Sequence, residues 1–245
     1  MTIEGKIVAV TGAGRGIGRA TALLLAARGA RLVLGARSES EIAEVAREVE
    51  QAGGAVAHRQ TDVTCRADLQ ALVGLAQERF GGLDVIVNNA GIGPISRFDA
   101  LRVEDWDAMI DVNLKGALYG IAAALPLFAA RKTGHVINVV STAGLKIVPT
   151  MGVYAATKNA LRTATEALRQ ENVPGLRVTE VSPGFIDTTF AASSINDPEV
   201  RAAIEKRKRE LAISPEAIAR AIAFAVEQPA DVEIGSIVVR PTAQD

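Results

Sequence analysis

Short runs of β-branched and other apolar residues recur along the chain, separated by longer Ala- and Leu-rich stretches with polar positions at helical spacing. That alternation is the pattern of strand, crossover helix, strand, and it predicts an α/β fold with a parallel sheet. The candidate strands are Ile7–Val10, Leu32–Leu34, Ala55–His58, Val85–Val87, Val136–Val140, Val178–Val181 and Ile237–Val239. Most are continuously apolar, as strands covered on both faces are. Gly29, Gly53-Gly54, Gly81-Gly82 and Gly134 follow helical stretches and are read as helix stops. Asp197-Pro198 and Ser214-Pro215 each set a capping oxygen before a proline and are read as helix starts.

No linker, low-complexity segment or internal repeat divides the chain, so residues 1–245 are expected to form a single domain. The most irregular region is Pro183 to Pro198, and the basic run Lys206-Arg207-Lys208-Arg209 after it reads as a solvated helix face. Apolar residues make up 49% and charged residues 22%, a balance that excludes disordered and fibrous classes. A formal charge of −1 supplies no field for nucleic acid or an anionic membrane, so neither partner is expected. The apolar run Ala20 to Ala27 is far shorter than the roughly 18 to 20 residues of a bilayer span. Cys65 is the one cysteine, which excludes an intrachain disulfide, and no leader-like pattern opens the sequence. A cytoplasmic location is the expectation. His58 and His135 have no second ligand at metal spacing, and no metal is expected. Cys65, Trp106, Met109 and Met151 read as packing residues, Met151 also as a pocket wall.

The first strand runs into Thr11-Gly12-Ala13-Gly14-Arg15-Gly16-Ile17-Gly18 and then a helix. Glycines there let backbone N–H groups approach a pyrophosphate, and the helix start adds unpaired donors and a positive dipole end. The second strand ends Leu34-Gly35-Ala36-Arg37, with no carboxylate to hold both hydroxyls of an adenosine ribose. Arg37 and Arg15 are instead placed to pair with a 2′-phosphate, which favours NADP over NAD, although Glu39 and Glu41 follow closely enough to blunt the effect.

Tyr154 and Lys158 are four residues apart on one helix, so phenol and ammonium share a face. A cation at about 4 to 5 Å would lower the phenol by roughly two to three pH units and make it a usable acid–base group. Ser141 follows the strand His135 to Val140, at the sheet edge where ligands bind, with a turn cap as its plainer role. Asn113 sits inside the amphipathic stretch Val103 to Leu125, where an amide asks for a reason; serving a local helix break is one. Asn88-Asn89-Ala90-Gly91 and Asp62-Val63 end two further strands at the same edge.

These residues, together with Pro183-Gly184-Phe185-Ile186-Asp187-Thr188, resemble the short-chain dehydrogenase/reductase family in order and along nearly the whole chain. The resemblance implies a Rossmann-type, doubly wound parallel sheet of about seven strands flanked by helices. It implies a nicotinamide cofactor over Gly12, Gly16, Ile17 and Gly18, with adenine near Asp62 and Val63 and Asn89 close by. Pro183, Gly184, Ile186 and Thr188 would lie along the nicotinamide end. Tyr154 would act as acid, Ser141 would hydrogen-bond the substrate oxygen, and Lys158 would hold the nicotinamide ribose and lower the phenol. Asn113 would support a water leading to Lys158. A homodimer or homotetramer built on the Val103–Leu125 and Tyr154–Gln170 helices is implied as well. The stretch Gly235 to Thr242 lacks the glycine-rich ending frequent in the family.

The reading is therefore an NADP(H)-dependent oxidoreductase interconverting a ketone or aldehyde with an alcohol. Its pocket would be walled by Gly93–Phe98, Leu145–Val153 and a substrate loop at about 185–211, whose mixed but largely apolar residues favour a small or medium hydrophobic carbonyl. A 3-oxoacyl group on a carrier protein is the alternative, with Arg131, Lys132 and the basic run as docking charges. A rival of another class is a cofactor-binding sensor or scaffold without turnover.

Overall fold

The computed structural model describes residues 2–188, 190, 206 and 208–244. Seven parallel strands form one sheet: β1 Ile7–Thr11, β2 Arg31–Ala36, β3 Ala55–Gln60, β4 Val85–Asn88, β5 Gly134–Val139, β6 Leu176–Pro183 and β7 Ser236–Val239. Their order is β3-β2-β1-β4-β5-β6-β7, so the winding reverses between β1 and β4. A crevice opens at such a reversal, outside the carboxyl ends of the strands.

Period-two alternation sends each strand's side chains to two separate cores. Val8 and Val10 of β1 join Leu32, Leu34, Val85 and Val87 on one face, while Ile7 and Ala9 join Val33, Ile86, Val136 and Val178 on the other. Helices α1 (Gly16–Ala27), α2 (Glu39–Gln51) and α7 (Pro215–Glu227) cover the first face. Helices α3 (Arg66–Phe80), α5 (Gly116–Arg131) and α6 (Gly152–Gln170) cover the second, with α4 (Val103–Met109) leading into α5. Ser214 caps α7 as expected, its hydroxyl accepting from the Glu216 N–H. Asp197-Pro198 lies outside the described residues.

Two expectations change. Gly134 is no helix stop: Lys132 takes the left-handed position at φ 48°, and Gly134 opens β5. A Cβ at 134 would sit 2.2 Å from Cγ of Phe128, so the glycine lets an aromatic ring lie on the strand. The edge strands also differ from the inner ones. In β3 only Ala57 is buried and the polar His58-Arg59-Gln60 belong to the strand, which charges an otherwise open edge.

The stretch from Val103 is continuous through Pro126 to Arg131, 29 residues long and apolar enough by length and composition to cross a membrane. It packs instead within the fold, with Ala117, Gly120, Ile121, Ala124 and Phe128 buried.

Candidate active site

The glycine-rich turn after β1 is held from the neighbouring strand. Thr11 Oγ1 accepts the N–H groups of Asn89 and Ala90, both at 3.1 Å, and Asn89 Nδ2 donates to the carbonyls of Thr11 at 2.9 Å and Gly12 at 3.2 Å. Asn89 thus braces the turn from beneath. A Cβ on Gly18 would fall 2.2 Å from the Gly12 carbonyl oxygen, so α1 begins directly against the strand end. No side chain caps α1 and no acidic residue occupies its first turn. Free donors, a positive dipole end and glycine clearance fit a pyrophosphate, so the residues present suit a dinucleotide.

Arg15 and Arg37 are both exposed at the rim of this turn. Of the two nearby glutamates, Glu41 is the one turned inward: a Cβ on Gly14 would meet its Oε2 at 2.9 Å. Asp62 Oδ1 accepts from the N–H and hydroxyl of Thr64, at 2.9 and 2.8 Å, and the buried Val63 lies against Gly116. Thr188 reaches across from the end of β6 to Gly16, where a Cβ would stand 3.1 Å from its methyl group. Ile186 bridges to Ile213, which closes the foot of the substrate loop, and Gly184 N–H donates to the Val239 carbonyl at 2.7 Å beside Pro183. Ile17 and Gly16 open α1 itself.

Tyr154, Lys158 and Asn113 converge around the segment Gly91-Ile92-Gly93, and Ser141 joins them through the Tyr154 phenol. A Cβ on Gly91 would lie 3.3 Å from Asn113 Oδ1 and 3.5 Å from Lys158 Nζ; one on Gly93 would lie 3.3 Å from Cδ2 of Tyr154. Asn113 lies in a π-helical turn, Ile110–Lys115, between α4 and α5. Its amide spans both backbone groups of Ile92, accepting from N and donating to O at 2.8 Å each, and also donates to Thr157 Oγ1 at 3.2 Å. The helix break and the amide are therefore one feature. Ser141 does cap a turn, accepting the Ala143 N–H at 3.1 Å, and its hydroxyl also stands beside the Tyr154 phenol.

The electrostatics differ from the expectation. Lys158 Nζ donates to the Val139 carbonyl at 2.9 Å and stands 6.0 Å from the centre of the Tyr154 ring. Burial pushes the phenol up to about 12, with the Ser141 hydrogen bond pulling the other way, and burial lowers Lys158 to about 8. The ammonium faces a backbone oxygen, so desolvation outweighs attraction.

Thr157, the Val139 carbonyl and the bracing role of Thr11 escaped the sequence reading. Spacing carries no signal for a backbone acceptor, and Thr157 looks like any threonine on a helix. Among the packing residues, Met109 is buried and Met151 packs beside Tyr154, but Cys65 is exposed ahead of α3. His135 is buried against Thr179 Oγ1 at 2.8 Å, and burial holds its pKa well below the usual range, while His58 is exposed on β3. Among the described residues no group of three or more metal-binding side chains occurs. Arg131 donates to Leu83 O at 2.8 Å and pairs with Asp84 at 3.2 Å, ahead of β4. It and Lys132 therefore sit at the sheet edge opposite Ser141 of the same chain.

The sequence pattern described as short chain dehydrogenase matches residues 6–199. An uncharacterized oxidoreductase of Listeria monocytogenes is 43% identical over 100% of this chain and 99% of its own. An alcohol dehydrogenase from the archaeon Thermococcus sibiricus, solved with 5-hydroxy-NADP, superposes with a TM-score of 0.87 at 32% identity, covering 98% of each chain. A short chain dehydrogenase/reductase from Burkholderia phymatum, solved with NAD, gives a TM-score of 0.87 at 27% identity over 97% of this chain and 90% of its own.

Proposed function

The chain belongs to the short chain dehydrogenase family, and from that premise we propose that this oxidoreductase interconverts a ketone or aldehyde with an alcohol, using NADP(H) and Tyr154 as the acid–base group. The observation that carries the reading is the convergence of Ser141, Tyr154, Lys158 and Asn113 at one sheet edge, continuous with the phosphate turn.

The nicotinamide supplies the hydride when bound. Residues of the turn, Gly12 to Gly18, hold the pyrophosphate through backbone N–H groups, and Arg15 and Arg37 take the 2′-phosphate. Tyr154, held near 12, keeps its proton at neutral pH, which is the form that protonates a carbonyl oxygen as hydride arrives at the carbon. Ser141 hydrogen-bonds that same oxygen and stabilises the charge developing there. Lys158 holds the ribose hydroxyls. In the oxidative direction Tyr154 must first lose its proton, so that direction gains as pH rises.

Leu145, Ile147 and Val148 are exposed on the Ser141 side of the crevice, and Met151, Val153 and Trp106 pack behind Tyr154. These surfaces favour a hydrophobic carbonyl over a charged one. For the carrier-protein alternative, Arg131 and Lys132 lie at the far edge of the sheet from Ser141 of the same chain, and Lys208 is paired with Asp187 at 2.9 Å. Assembly into a dimer or tetramer is proposed through α4–α5 and α6, and the exposed Val103, Ile110 and Leu118 support the α4–α5 part of it.

The test is NADPH oxidation against a panel of aldehydes, ketones and carrier-linked 3-oxoacyl thioesters. Turnover confined to hydrophobic carbonyls is expected. NADPH binding without turnover across the whole panel would instead favour the sensor reading.

A further inference from the structure

The segment after β7 folds back onto the active-site edge. Gln244 N–H closes a turn on the Pro241 carbonyl at 3.0 Å, and the turn delivers the Gln244 side chain to two loops at once. Its Oε1 accepts the Phe185 N–H at 2.8 Å, and its Nε2 donates to Thr142 Oγ1 at 3.4 Å. A Cβ on Gly184 would lie 2.4 Å from Gln244 Oε1 and 3.0 Å from the Arg240 Cα, so the end of β6 passes directly under this segment.

Both recipients matter to the chemistry. Thr142 follows Ser141 and anchors its turn, its carbonyl accepting the N–H groups of Leu145 at 2.9 Å and Lys146 at 3.0 Å. Phe185 is the foot of the substrate loop, its carbonyl accepting the Ile213 N–H at 3.1 Å. A primary amide carries an acceptor and a donor on one rigid plane, so a single side chain can hold both loops at a fixed separation.

We propose that Gln244 is a positioning residue: its carboxamide straps the Ser141 turn to the foot of the substrate loop and thereby sets where the Ser141 hydroxyl meets a substrate oxygen. The proposal rests on the enzymatic reading above for its catalytic consequence, but its structural half stands independently. Small displacements of a hydrogen-bonding group at a reacting centre are felt strongly in rate.

Two measurements on the full chain test it. Amide hydrogen exchange of Gln244→Ala, without cofactor, should speed exchange at Phe185, Leu145 and Lys146 while leaving the core strands β1 and β4 unchanged. Unchanged exchange at those three amides would overturn the strap. In turnover of a hydrophobic carbonyl with NADPH, Gln244→Ala should lower kcat about tenfold, with NADPH affinity held within about twofold, and Gln244→Glu, which keeps the acceptor for Phe185, should recover part of the loss. In a Ser141→Ala background the same Gln244→Ala change should cost less than about twofold, because the group it positions is gone. Full additivity of the two losses would overturn positioning through Ser141. If the unsubstituted protein turns over nothing in the panel, the enzymatic reading fails by itself, and the exchange result still decides the strap.

Discussion

Lys158 Nζ stands 6.0 Å from the centre of the Tyr154 ring and donates its hydrogen bond to the Val139 carbonyl at 2.9 Å. The four-residue spacing puts phenol and ammonium on one helical face, but the strand end takes the ammonium. Burial then governs both groups, raising the phenol to about 12 and lowering the lysine to about 8. An absorbance titration near 295 nm of the cofactor-free protein should therefore contain a phenolate transition with a midpoint near 12 that Tyr154→Phe removes. A Tyr154 midpoint below 10 would reverse the balance between desolvation and attraction argued from the geometry.

The same protonation state sets the direction of the pH dependence. Below about 12 Tyr154 holds its proton, so carbonyl reduction should be flat through neutral pH with respect to this group, and alcohol oxidation should rise with pH. On the proposed mechanism, Tyr154→Phe removes the proton donor while leaving the glycine-rich turn untouched. Its turnover should fall by roughly 10²- to 10⁴-fold, with NADPH affinity changed less than about threefold by fluorescence titration. Unimpaired turnover would remove Tyr154 from the acid's role.

The proposed preference for NADP(H) rests on opposing charges around the turn. Arg37→Ala should weaken NADPH binding by roughly 10- to 100-fold with little effect on NADH, since one charge-assisted contact to the 2′-phosphate is lost. Ala36→Asp should shift preference toward NAD by supplying the missing ribose acceptor. Glu41, whose carboxylate lies against Gly14, opposes the arginines, so Glu41→Gln should tighten NADPH a few-fold at low salt and less at high salt. Equal affinities for both cofactors in all three variants would refute the 2′-phosphate assignment.

Gly18 tests the turn from the steric side. Its Cβ would lie 2.2 Å from a backbone oxygen that cannot give way as a flexible side chain would. Gly18→Ala should cost at least about tenfold in affinity for either dinucleotide, measured by the same titration, because the turn must open to admit the methyl group. Unaltered binding would mean that the cofactor does not use this junction.

How much of this was legible beforehand follows from what kind of signal each feature leaves. The seven strands could be read because apolar runs and their punctuation are local, and Val8 to Val10 or Val85 to Val87 have no competing reading. Ser141, Tyr154 and Lys158 could be named because strand ends and helical spacing locate them. The direction of the Lys158 ammonium could not, since its acceptor is a backbone carbonyl 19 residues away with no side-chain identity. Gly134 was misread for the same reason: the Phe128 ring that requires it belongs to the preceding helix, and a glycine after a helix looks like a stop.

Asn113 offers the sharpest separation of a structural role from a chemical one. Its amide satisfies both the N–H and the C=O of Ile92 at a site where it is itself 1% exposed, so Asn113→Ala strands two backbone groups. A buried group left without a partner costs about 1 to 3 kcal/mol, so urea unfolding should show a loss of about 2 to 6 kcal/mol, toward the lower end because Ile92 is half-buried. Thr157→Val removes only the third contact, to Thr157 Oγ1, together with the bond from that hydroxyl to the Tyr154 carbonyl at 2.8 Å, and keeps the Ile92 bridge. Its stability loss should be near 1 kcal/mol. If Asn113 serves only the helix break, Thr157→Val should leave turnover and its pH profile unchanged. If the amide must also be oriented for proton traffic at Lys158, 3.5 Å from where a Gly91 Cβ would stand, the pH profile should shift with no stability loss beyond that of about 1 kcal/mol. A variant as stable as the parent after Asn113→Ala would show that the π turn closes without the bridge.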